Sequence, residues 1–176
     1  MGQYYTPIIL NEKNEPVKAW HAHHYENGLK LMEHSYIGNN FVAVVEHELL
    51  NNPQRLVWAG DYADEEPDGE NLNAKVDNHP SFYDDNAPHF DVKTLHKTYV
   101  VNHDKKQFYK RPEYQDDVWT INPLPLLTSE GNGRGGGDYH GESCEELVGT
   151  WARGFIEVTY EKPTEDYTEI HPDFKE

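Results

Sequence analysis

The sequence predicts a single α+β domain: a mostly antiparallel, twisted sheet with one main helix and long acidic, irregular loops. Three observations carry that expectation. Short β-rich runs outnumber helical ones, and no regular strand–helix–strand alternation points to a parallel sheet. Apolar residues recur at clear helical spacing in one stretch, residues 40–51. The 176 residues suit one domain, enough to bury about 70% of the surface an unfolded chain exposes.

The elements follow in order. "QYYTPIIL" and "VKAWHAHHY" are β-rich runs flanking "NEKNEP", which has turn chemistry, so they read as a hairpin. In "NNFVAVVEHELLNNP", Asn40 is placed to cap a helix, Phe41, Val44, Val45 and Leu49 recur on one face, and Pro53 lies past its end. "QRLVWAGD" follows as a short buried strand. Residues 61–90 change character: "DYADEEPDGE" holds six acids in ten positions, and the rest is rich in Asn, Asp and Pro. A long acidic irregular segment is expected there, with room for one short helix.

"KTYVVN" and "QFYKR" form a second hairpin around "HDKK". "DVWTINPLPLLTS" reads as extended, because Pro123 and Pro125 oppose helix and push the preceding residues towards β geometry. Two readings stay open for residues 143–152. Ser143 and Glu146 match a capping box, which starts a short helix over "CEELVGTWA". Gly149 and the β-branched residues instead favour a hairpin of "LVGTWA" with "FIEVTYE", turning at Arg153 and Gly154. Residues 162–176 are a polar tail expected at the surface.

Charge narrows the partners. Thirty-two acids against fifteen Lys and Arg leave −17, so nucleic acid and anionic membranes should repel the chain. A basic protein partner is compatible with that charge; solubility alone is the plainer explanation. Cys144 is the single cysteine, so no internal disulfide forms and a reducing compartment is expected. No apolar run approaches ~18 residues, and "MGQYYTPIIL" lacks the basic start of a signal peptide. Gly2 and Thr6 fit an N-acylation pattern, but no basic run follows to reinforce it. A cytoplasmic protein is the expectation.

The most conspicuous motif is "GNGRGGGDYHG", residues 131–141. Gly137 and Asp138 stand where a P-loop needs Lys and Ser or Thr. Gly131, Gly133 and Gly136 match G-x-G-x-x-G, yet Asp138 follows at once and two prolines precede, against the strand–turn–helix context of a dinucleotide site. A backbone nest remains, in which Gly131, Gly133, Gly135, Gly136 and Gly137 present N–H groups to an anion. Arg134 adds a charge-assisted pair, and Asp138 and His140 stand by as acid–base candidates. The competing reading is a plain loop past the aromatic core.

Metal ligation is the second candidate. On a strand, His21 and His23 would share a face, with Glu26 adding a carboxylate and His79, His89 or Asp91 completing the set. Eleven histidines make such a coincidence easy, and hydrogen-bonded imidazoles are the simpler reading. No cofactor is expected. Covalent catalysis has no motif: G-x-S-x-G is absent from the sequence, and Glu142, Glu145 and Glu146 surround Cys144, which disfavours a thiolate.

The third candidate is the acids themselves. Asp61, Asp64, Glu65, Glu66, Asp68 and Glu70, with Asp84–Asp85, "EYQDD" and "ESCEE", could converge on a face shaped for a basic channel. The expected function is therefore a non-enzymatic acidic protein that inhibits or sequesters a basic partner, a nuclease or nucleic-acid-binding complex, as an immunity or anti-defence factor does. The alternative is binding, with hydrolysis in prospect, of a nucleotide or other phosphorylated ligand at Gly131–Gly137.

Overall fold

In the computed structural model, which describes residues 3–84, 86, 89–131, 139, 141 and 143–175, the chain opens with the expected hairpin. Strands β1 (Tyr5–Leu10) and β2 (Pro16–Ala19) pair antiparallel as far as Ile8↔Ala19. Pro7 has no N–H to extend that ladder, so the chain leaves the sheet after Trp20. It enters a 3₁₀ turn at Ala22–Tyr25, and "WHAHHY" does not continue the strand as expected.

Two helices follow, α1 (Leu31–His34) and α2 (Asn40–Glu48). Asn39, rather than Asn40, caps α2: its side-chain oxygen accepts from the N–H groups of Phe41 at 2.8 Å and Val42 at 3.3 Å. The helix stops at Glu48, short of residue 51, and the Asn51 N–H turns to the Val158 carbonyl. Strand β3 (Gln54–Gly60) is the buried strand read from "QRLVWAGD". The acidic segment contains α3 (Leu72–Asn78), capped by Asn71, and a 3₁₀ turn at Pro80–Phe82.

Strands β4 (Tyr99–Asn102) and β5 (Gln107–Lys110) form the second hairpin. The segment read as extended is helical instead: α4 (Pro123–Leu127) carries both prolines in its first turn. The first four amides of a helix have no intrahelical acceptor, so the missing N–H groups cost little there. Asn122 supplies the cap, accepting from the Leu124 N–H at 3.1 Å.

Next come β6 (Ser129–Glu130), β7 (Gly154–Thr159) and β8 (Thr168–Glu169). Residues 143–152 adopt neither expected form. A 3₁₀ turn spans Glu145–Leu147 behind Cys144 at φ 60°, and Gly149 at φ 77° and Arg153 at φ 63° bend the chain into β7. The N–H groups of Gly149 and Trp151 go to the carbonyls of Leu126 and Leu127, so this segment seals the end of α4 rather than pairing as a strand.

The eight strands form one mostly antiparallel sheet in the order β2-β1-β3-β7-β4-β5-β8, with β6 beside β3. Only β3–β6 and β5–β8 run parallel among the described residues. Strand β7 lies between the two hairpin halves, joining Gln54–Leu56 of β3 on one side and all of β4 on the other. Alternation along β3 separates two cores: Leu56 and Trp58 face a cluster holding α2 and α4, while Val57 and Ala59 face Leu72 and Val76 of α3. Thus α2, the longest of four helices among the described residues, does not stand alone. Of the expected tail 162–176, the described residues 162–175 are largely exposed, but Phe174 is buried in the larger core, 5.2 Å from Tyr139, and the polar run contributes β8.

Two polar devices sit inside the larger core. Glu46 of α2 and Arg111, both side chains fully buried, make a forked pair at 2.6 and 3.1 Å, and Asn122 donates to the same carboxylate at 3.1 Å. His34 lies between the Trp58 indole and the Gly28 carbonyl, at 2.9 and 3.0 Å.

Candidate functional site

The acids of the first loop are mostly engaged by the protein itself. Asp61 accepts the Tyr4 N–H at 3.0 Å, Glu66 pairs with Arg153 at 2.7 Å, Asp68 with Lys75 at 2.5 Å, and Glu70 accepts the Asn78 amide at 2.8 Å. Asp64 and Glu65 are exposed. Arg153 also holds Glu130 of β6 at 2.7 Å, so the loop is pinned to the sheet. Four of the six charges expected to meet a partner therefore have structural work of their own.

The histidines separate as well. His21 caps the 3₁₀ turn, its Nδ1 accepting the His23 N–H at 3.1 Å, and the two rings lie 6.2 Å apart and nearly perpendicular. Glu26 closes the same turn at φ 55°. His89 stacks obliquely on Tyr25 at 5.0 Å, and Asp91 caps the turn Val92–Leu95. His79 is exposed. Among the described residues no three His, Cys, Asp or Glu side chains gather at metal-binding distance.

Of the glycine motif, Gly133, Arg134, Gly135, Gly136, Gly137, Asp138 and His140 lie outside the described residues. Its flanks are anchored. A Cβ on Gly131 would fall 2.5 Å from the Tyr5 hydroxyl and 2.8 Å from the Gln3 amide oxygen, so this position admits only glycine without a shift. Tyr139 is buried, its hydroxyl within 2.7 Å of the Ser143 carbonyl and 2.8 Å of the Lys175 carbonyl.

A cleft that no motif announced forms between residues 27–39 and 114–120. Its volume is about 460 Å³, within the range of ligand pockets. Tyr36, Tyr114 and Trp119 supply aromatic walls, and Glu33 and Asp117 supply carboxylates. Trp119 meets Tyr36 edge-to-face at 5.2 Å and 87°, yet remains 83% exposed. Tyr114 packs against Gly38, and the neighbouring Asp116 carboxylate, with a smaller contribution from Asp117, raises its pKa. The floor is rigid: the Asn39 amide donates to Asn27 Oδ1 at 2.5 Å, while its oxygen caps α2.

In the sequence "EYQDD" stands out as an acid cluster with Tyr and Trp nearby as contact anchors, but nothing there singles out Trp119. The polar run ahead of Trp119, Gln115 to Asp117, is the available signal; the opposite wall comes from a distant segment that only the fold brings near.

A second hollow, about 630 Å³, holds a hydrogen-bonded chain. His103 Nε2 lies 2.8 Å from Glu157 Oε1, and Nδ1 lies 2.7 Å from the Tyr167 hydroxyl. In the neutral ring Nε2–H donates to Glu157, leaving Nδ1 to accept from the Tyr167 hydroxyl. The chain ends on a phenol held in place, and it fastens the approach to β8 onto β4 and β7.

Comparison with protein-family models, curated proteins and solved structures finds no match. Among the described residues no helix is long and apolar enough to cross a membrane. The class is an α+β domain whose most ligand-like feature is an aromatic cleft rimmed by acids.

Proposed function

We propose that this is a non-enzymatic acidic interaction protein that binds, and thereby inhibits or sequesters, a basic protein of the nucleic-acid-handling kind. The observation that carries the reading is Trp119, 83% exposed beside Asp116, Asp117 and Glu113. A large ring left in water is an unfilled apolar anchor, and tryptophan dominates binding hot spots. The charge around it selects the partner: acids steer a basic surface in and turn nucleic acid away. Internal pairing leaves that bias intact, since Lys18, Arg55, Lys75, Lys106, Arg111 and Arg153 are each held by the protein's own carboxylates. The contact face therefore moves from the Asp61–Glu70 loop to residues 113–119.

The test is capture from host extract by wild-type protein and by Trp119→Ala, with the bound proteins identified by mass. A basic nucleic-acid-handling protein should be retained by the wild type and released as salt rises. The variant should retain at least about tenfold less, the cost of losing a hot-spot ring. Equal retention by both proteins, or capture indifferent to salt, overturns the reading.

A further inference from the structure

We infer that the cleft beneath Trp119 is a receptor for one arginine side chain of the basic partner; this rests on the reading above and gives it a specific contact. Tyr36 and Trp119 stand as perpendicular walls 5.2 Å apart by ring centres. Tyr114 is the third wall, made possible by Gly38, where a Cβ would fall 2.7 Å from its ring. Aromatic faces carry the negative part of the ring quadrupole and attract cations. Asp117 adds negative charge to the same lining, as does Glu33, one of whose oxygens also accepts the Lys30 N–H at 3.0 Å, and the lining includes no Lys or Arg among the described residues.

A neutral sugar would stack on the rings and donate its hydroxyls to the carboxylates, but it would leave their negative charge uncompensated. A guanidinium uses both, its plane stacking on an indole while its fork meets a carboxylate; a lysine ammonium offers only a point charge. The cleft's 460 Å³ exceeds what one side chain fills, leaving space for the flanking backbone of the loop that delivers it.

Trp119 is its own reporter. Trp20, Trp58 and Trp151 are no more than 1% exposed, so acrylamide quenching of the folded protein reads Trp119. Nα-acetyl-arginine amide should protect it, with half-effect on the order of 1 mM. The neutral isostere Nα-acetyl-citrulline amide should be at least about tenfold weaker. Asp117→Asn should weaken the arginine probe roughly two- to fivefold. Asp117 lies at φ 63°, a conformation Asn tolerates, so this variant keeps the backbone. Gly38→Ala, which displaces Tyr114, should lower protection further.

Equal protection by the arginine and citrulline probes, protection by glucose, or an unchanged response in Asp117→Asn overturns the receptor. If the basic partner is still captured through Trp119 in that event, the wider reading stands and only the arginine contact falls. If capture also fails, both fall.

Discussion

Lowering the pH from 7 to 5 is expected to remove about 2 kcal/mol of stability through His34 alone. An indole N–H only donates, so His34 Nε2, 2.9 Å from Trp58 Nε1, must be the accepting nitrogen. The ring's one proton then sits on Nδ1 and is donated to the Gly28 carbonyl at 3.0 Å. A second proton would have to enter between Nε2 and the indole, away from water. Burial pushes the imidazole pKa from 6.5 down to about 4, against the smaller opposing pull of Gly28 and Glu33.

The unfolded chain takes up this proton below about pH 6.5 and the folded chain only below about pH 4. Between those values the unfolded state binds more protons, so stability falls as pH falls, and levels off beneath. The gap corresponds to roughly 3 kcal/mol, most of it spent by pH 5. Urea unfolding followed by tryptophan fluorescence at both pH values is the assay. With a slope of about 1–3 kcal/mol per molar urea, the wild-type midpoint should drop by about 1 M.

His34→Gln keeps a polar side chain at the site but does not titrate, so its drop should be smaller by the His34 share, whatever the variant itself costs. Identical drops in the two proteins, or a His34 ring signal that titrates near 6.5 by NMR, would refute the reasoning.

Removing one partner of the buried pair should be far worse than removing both. Arg111→Met strands the Glu46 carboxylate and should cost about 3–5 kcal/mol in urea unfolding, whereas Glu46→Leu with Arg111→Met should recover most of it; additive losses would argue against that account. Tyr139→Phe deletes the hydroxyl that reaches the Ser143 and Lys175 carbonyls. It should cost about 1–3 kcal/mol and speed cleavage of the tail after Glu169 by a glutamate-specific protease, an effect absent if the tail is held by Phe174 alone.

Strands were the legible part of this chain. The hairpins at "NEKNEP" and "HDKK" declare themselves through local turn chemistry between β-rich runs, and β3 through a short apolar run. Helix α4 was misread because proline was judged by its effect inside a helix. Asn122 directly before Pro123 is in fact a start signal. His21 and His23 were misplaced because Pro7, on the neighbouring strand, decides where β2 ends, and no local window contains both. The cleft was illegible for the same reason on a larger scale: Tyr36 and Trp119 meet only after the chain between them has folded.

The late arrival of β7 has a consequence for how the protein is made. Residues 54–60 emerge early, but the strand that covers part of their edge is encoded about a hundred residues later. At ordinary synthesis speeds of about 5–20 residues per second, that edge waits at least several seconds for its mate. So does β4, whose other flank is the same missing strand. Open edges recruit strands from other chains. As residues 61–100 emerge they add ten acids against three Lys, and the resulting like charge opposes such pairing between nascent copies. The acidity of this chain thus bears on the unfinished fold as well as on the finished one.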